Sequence, residues 1–142
     1  MQTWAFPAVI EQHGTDDFVA TFPDIPGAIT GGETLDGVRV SAADALEEAI
    51  LHLMSRGEAI PAPRPCRKGE ELVLLDPVTA ARAILAEAMR QGGISNVALA
   101  KRLGRTEGAI RRLTDGTSAV KIDTVIEALT AVGKRTVLSE VA

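Results

Sequence analysis

The sequence predicts an α+β fold, a β-β-β-α-β unit over residues 1–76 followed by a small all-helical unit over residues 77–142. Three observations carry this. Apolar side chains alternate with a period of two between Trp4 and Phe22. They switch to spacings of three and four between Leu35 and Leu53. Beyond Asp76-Pro77, short runs of helical period are punctuated by capping residues and glycines.

In the first unit, Trp4, Phe6, Ala8 and Ile10 alternate with Ala5, Pro7 and Val9, and Phe18, Ala20 and Phe22 resume the alternation after a polar stretch, which reads as a hairpin with one aromatic face buried. Pro7 donates no amide hydrogen and suits an edge or irregular strand position. Phe22-Pro23-Asp24-Ile25-Pro26-Gly27 is a rigid turn, and a short strand at Ala28 to Thr30 ends in Gly31-Gly32. Thr34 can cap a long helix whose apolar stripe is Leu35, Val38, Ala42, Ala45, Leu46, Ala49, Ile50 and Leu53. Asp44, Glu47 and Glu48 fall on its solvated side, and Gly57 stops it. Three prolines make Ile60 to Gly69 irregular, and Leu72 to Leu75 reads as a short buried strand.

The second unit opens at Asp76-Pro77, a cap followed by proline at the first helical position. Ala81, Ile84, Leu85, Ala88 and Met89 follow the helical period until Gly92-Gly93. Ser95, Thr106 and Asp123 are expected to cap three further helices, with Asp115-Gly116 and Gly133 as stops. Thr136 to Leu138 reads as a short strand or a frayed tail.

Composition narrows the function. The longest apolar runs are four residues, so neither a membrane span nor a signal-peptide core is expected, which points to the cytoplasm. With one cysteine, Cys66, and two histidines, His13 and His52, neither a disulfide scaffold nor a zinc fold is available. No cofactor, metal site or catalytic residue is expected. The net charge of −4 conceals two opposite halves: five Lys/Arg against thirteen Asp/Glu up to Asp76, and ten against six beyond it. Such asymmetry suggests different partners, a basic protein for the first half and a polyanion for the second. All four aromatic residues lie in the first 22 positions, so the basic half has no ring for stacking an unpaired base.

Asn96 to Leu113 carries a demanding pattern: Leu99, Leu103, Ile110 and Leu113 apolar, Ala100 small, and Gly104 in the turn. Two short helices crossing near a right angle need these residues between them, which is a helix-turn-helix arrangement. The segment resembles the Cro and phage-repressor-like family, with Lys121 to Leu129 matching its following helix. It departs from that family at Arg105, where an apolar residue is usual, and Gly108 is an unusual residue inside a helix. The resemblance implies that the helix opened by Thr106 enters the major groove by its N-terminal end, presenting Glu107, Gly108, Arg111 and Arg112 to base edges. Asn96, Arg102 and Lys121 are placed for phosphates. The same charges would equally serve as an ordinary solvated face. One copy covers one half-site, so a homodimer or higher oligomer on operator DNA is expected, with half-sites about 34 Å apart.

The run Phe22-Pro23-Asp24-Ile25-Pro26-Gly27, then Gly32-Glu33-Thr34-Leu35 and the alanine-rich helix, resembles the HicB antitoxin family over Trp4 to about Leu75. That resemblance implies a partial ribonuclease-H-like fold, a HicA-type toxin partner that is a small basic mRNA-cleaving ribonuclease, and repression of the protein's own operon. Phe22, Asp24 and Ile25 are the candidate toxin contacts, although the turn serves equally to shape the fold. Two other readings stay open. One is a repressor whose α+β unit senses a small ligand. The other is a metal-dependent nuclease tethered to DNA, for which Glu47, Glu48 and Asp76 are the carboxylates at hand, though the opening strand from Trp4 to Ile10 supplies none.

Overall fold

The computed structural model describes residues 1–141 and has the expected α+β architecture. Strand β1 (Ala5–Gly14) turns back into β2 (Asp17–Thr21), and β3 (Ile29–Gly32) follows. The long helix α1 (Leu35–Ser55) crosses to β4 (Glu71–Leu74). The sheet is antiparallel throughout, in the order β3-β2-β1-β4. Four helices complete the chain: α2 (Pro77–Gly92), α3 (Asn96–Leu103), α4 (Glu107–Thr114) and α5 (Ile122–Ala131).

Strand β1 divides its pairing. Ala5 to Ala8 pair with β4, and Val9 to Gly14 pair with β2. The first half therefore has a strand neighbour on one side only, which is where Pro7 is tolerated. Phe6, Ala8 and Ala20 point to one face and meet Val38, Ala42, Leu46, Ile50 and Met54 of α1. Those α1 residues recur at every fourth position, so an inclined ridge of side chains crosses the sheet. The Thr34 hydroxyl accepts the Gly37 amide at the head of α1. At its end, the amides of Gly57 and Glu58 donate to Met54 and Leu53 carbonyls, closing the last turn.

Two expectations change, and one open alternative narrows. The strand at Leu72 to Leu75 is half-open: Val73 is buried, but Leu72 and Leu74, on the side of the sheet away from α1, are about half exposed. Thr136 to Leu138 lies in no strand. Helix α5 begins at Ile122 with Lys121 at the capping position, so Asp123 sits within its first turn.

The irregular segment before β4 is held by an ion cluster. Arg64 forks onto Glu70 with two 2.8 Å bonds, and its Nε lies 2.8 Å from Asp24 Oδ2 in the β2–β3 loop. Hydrogen bonds from Arg64 and from the Arg67 amide hold the Glu70 carboxyl at about 2, against the opposing effect of burial. A carboxyl depressed in the folded state contributes stability that is complete above its unfolded value near 4.5 and is lost as pH falls toward 2. Glu70→Gln is expected to flatten that acid limb when urea midpoints are measured from pH 6 down to 2. An unchanged limb would show that other groups carry it.

Helix α2 belongs to two apolar clusters. Ala80 and Ala83 join the sheet–α1 cluster, whereas Ala81, Leu85 and Met89 join Leu99, Ala100, Ile110, Leu113, Val125, Ala128 and Leu129 of the helical cluster. Polar contacts fasten it as well. Asp76 Oδ1 accepts the Val78 and Thr79 amides, the Thr79 hydroxyl donates to Glu47 at 2.8 Å, and the Ile60 amide donates to Glu87 at 2.9 Å.

Candidate functional site

The α3–α4 pair follows from its local chemistry. Ser95 caps α3 through the Ala98 amide, and Thr106 caps α4 through the Ala109 amide. Between them Gly104 adopts a left-handed conformation with φ of 62°, the backbone state that lets the chain reverse in three residues. Leu99, Ala100, Ile110 and Leu113 are buried together. Arg105, the departure from the expected apolar turn residue, reaches away from this core and pairs with Glu127 of α5 at 2.9 Å.

With Ile110 and Leu113 turned inward, the opposite side of α4 carries exposed Arg111 and Arg112 and half-buried Glu107 and Gly108. Arg111 is not free: its Nη1 lies 2.9 Å from Glu107 Oε2, one helical turn earlier. The two side chains thus form one i,i+4 unit. Arg102 and Lys121 are exposed and Asn96 is half-buried; Thr106 lies at the exposed N-terminus of α4. These residues come from α3, α4 and the entry to α5, and among the described residues Arg102, Arg112 and Lys121 take part in no ion pair.

Gly108 is open enough for a side chain. A Cβ there would meet only the mobile end of Arg111, at 3.8 Å. Gly108→Ala is therefore expected to stabilise the fold by about 0.5 to 1 kcal/mol through helix propensity, read as a raised urea midpoint. If the same change weakened DNA retention, the surface over Gly108 would be identified as a contact.

Arg82 of α2 is the polar residue that sequence reasoning missed. It is nearly fully buried, yet its Nε donates to the Leu113 carbonyl at 2.9 Å and its Nη2 to the Arg112 carbonyl at 3.3 Å. Asp115 lies 3.5 Å away. Burial pulls the Arg82 pKa down, and the carboxylates of Asp115 and Glu47 oppose it. Asp115 is itself charged despite burial, at about 2, because the Ser118 and Thr117 amides and the Ser118 hydroxyl donate to it. The C-terminal turn of α4 is thereby bolted to α2. The only signal in the sequence was an arginine inside an alanine-rich helix face.

The turn between β2 and β3 turns its candidate toxin contacts inward. Phe22 and Ile25 are buried in the sheet–α1 cluster, and Asp24 is occupied by Arg64. The loop folds over its own apolar residues because the Phe22 amide bonds the Ala28 carbonyl and the Ile25 amide bonds the Phe22 carbonyl. Its outward surface is Pro23, Pro26 and Gly27. Two of the three carboxylates considered for a nuclease are likewise engaged, since Asp76 caps α2 and Glu47, expected on a solvated side, accepts from Thr79, while Glu48 is exposed.

Residues 5–84 match the family described as HicB_like antitoxin of bacterial toxin-antitoxin system. That stretch runs from β1 into the middle of α2. Similarity to individual proteins extends further. The chain is 37% identical over 124 residues to Antitoxin HicB 2 of Photorhabdus laumondii, covering 87% of each chain. It is 32% identical over 129 residues to Antitoxin HicB of Escherichia coli, covering 91% of this chain and 94% of that one. Antitoxin HicB of Pseudomonas fluorescens is 32% identical over 117 residues, with 82% and 80% covered. A match over more than half of the chain, joined to relatives aligned over most of its length, assigns the molecule: it belongs to the HicB-like antitoxin family of bacterial toxin-antitoxin systems.

Proposed function

We propose that this antitoxin, a binding protein and not an enzyme, neutralises a HicA-type mRNA-cleaving toxin with its sheet half and represses its own operon with its helical half. The division is taken at residues 76 and 77, where the charge balance changes sign. The order β-β-β-α-β supports a partial ribonuclease-H-like assignment for the first half. The two capped helices around Gly104 support a helix-turn-helix assignment for the second. No helix among the described residues is long and apolar enough to cross a membrane, in keeping with a cytoplasmic repressor.

The observation that carries the DNA reading is the outward side of α4, where Arg111 and Arg112 are exposed, with Arg102 of α3 and Lys121 at the entry to α5 as further exposed cations. Arg112 is available for a bidentate hold on guanine, and the Glu107–Arg111 unit offers an acceptor and a donor together. Arg102, Lys121, Asn96 and Thr106 border this surface and suit phosphate oxygens. One copy spans one half-site, so the repressor is a homodimer or a higher homo-oligomer on a two-fold operator.

Arg111→Ala is expected to cost about 1 to 3 kcal/mol in operator binding and to relax base preference. Lys121→Ala is expected to weaken all sequences alike and reduce the salt slope by roughly one. Fluorescence anisotropy on the promoter fragment, titrated across salt concentrations, separates the two. If both variants bound as the parent does, α4 would not be the reading helix.

A further inference from the structure

The sheet has a second face that no helix covers. Cross-strand partners share a side, so Ala5 and Leu74, Pro7 and Leu72, Val9 and Thr21, Val19 and Gly31, and Thr21 and Ile29 all point away from α1. On that face Leu72, Leu74 and Ile29 are between 49% and 62% exposed, and Val9, Val19 and Thr21 are half-buried. Between them Ala5 and Pro7 of β1 are buried, and residues 1–3 and 63–65 line a pocket together with Ala5 and Leu72, so the exposed apolar residues form one patch on β2 and β3 and another on β4. Exposed apolar patches rimmed by polar residues mark interaction sites. Here the rim at the hairpin end is acidic. Glu11, opposite Val19, and Asp17 lie on the same side, with Asp16 in the turn between their strands.

The charge along this rim is not neutralised internally. Of the five cations in the sheet half, Arg39, Arg56 and Arg64 are each committed to a carboxylate elsewhere, namely Glu71, Glu58, and Asp24 with Glu70. Arg67 and Lys68 in the segment before β4 are exposed and, among the described residues, form no ion pair with the rim. Among the described residues, Asp16 and Asp17 take part in no ion pair, and Glu11 faces only His13, at 3.9 Å. An apolar centre with an unneutralised acidic margin fits a partner offering apolar side chains fringed by Lys and Arg.

We propose that the exposed parts of this second face, Val19 and Ile29 on one flank and Leu72 and Leu74 on the other, bordered by Glu11 and Asp17, form the surface that docks a basic toxin. This rests on the toxin-neutralising reading above and specifies its surface. The β2–β3 turn then acts as a brace that keeps β2 and β3 in register, since its apolar side chains are spent on the core.

The test uses the full-length chain co-expressed with the product of its neighbouring reading frame. Leu72→Lys with Leu74→Lys is expected to abolish co-purification and growth rescue. Glu11→Lys with Asp17→Lys is expected to weaken binding about tenfold or more and to reduce its sensitivity to salt. Asp44→Lys with Glu48→Lys, exposed acids on α1, is expected to leave both readouts unchanged. Thermal melting and operator retention close to the parent's verify folding of each variant. Retention of the neighbouring protein by the Leu72/Leu74 variant would overturn the proposal. So would a fall in its solution mass from dimer to monomer without loss of that protein, which would give the face to a second copy. Failure of the unmodified chain to bind the neighbouring protein at all would instead overturn the toxin-neutralising reading.

Discussion

Replacing Arg82 by Met is expected to destabilise the protein by about 2 to 4 kcal/mol and to lower operator affinity more than its distance from the outer side of α4 would suggest. Methionine preserves the aliphatic stem but removes the guanidinium that serves the Leu113 and Arg112 carbonyls. Those carbonyls lie in the last turn of α4, where no further turn supplies amide donors. Asp115 also loses its cationic neighbour, although it keeps the Thr117 and Ser118 amides. The backbone that carries Arg111 and Arg112 would then be free to shift. Urea denaturation measures the first effect. The second is read from DNA titration at a temperature where the variant remains folded. Full operator affinity in a destabilised variant would show that α4 needs no such anchor.

Gly116→Ala is expected to cost about 3 kcal/mol or more, lowering the melting temperature by roughly 10 °C in a chain of this size. Two effects combine. The residue has φ of 77°, which disfavours any side chain. In addition, a Cβ there would overlap the Leu51 carbonyl of α1 and come within 3.1 Å of the Ser55 amide nitrogen. Neither obstacle is a flexible side-chain tip, so the loop after α4 would have to lift from α1. Gly133→Ala provides the comparison: its φ is 83°, but a Cβ there meets nothing within 4 Å. That change should cost only about 1 kcal/mol, the backbone component alone. Equal losses at the two positions would mean that the α1 contact contributes little.

The elements that local chemistry determines were legible in the sequence. Thr34, Asp76, Ser95 and Thr106 each cap the helix they precede, because an N-cap acts on amides two or three residues ahead. The inward residues of α3 and α4 were legible for the same reason of short-range periodicity. Asp123 misled because α5 starts without a side-chain cap. Contacts across long separations were illegible. Nothing local announces that Glu47 meets Thr79, that Asp24 meets Arg64, or that Gly116 rests on α1. The burial of Phe22 and Ile25 was illegible for the same reason: a proline-bracketed loop looks outward in sequence, whereas its apolar residues complete a core supplied by distant strands. Leu72 and Leu74 were misjudged in the opposite direction, since a four-residue apolar run does not say whether both of its sides are covered.

Helix α2 gives alternate sides of itself to two cores, and α1 seats both the sheet and the loop beyond α4. The antitoxin is consequently built less like beads on a string than like a hand tool with a fixed haft. Whatever grips the strands and whatever grips the outward side of α4 are held at one set angle and separation, so under the proposed function an oligomer of this chain would present captured toxins in a geometry dictated by the DNA beneath them.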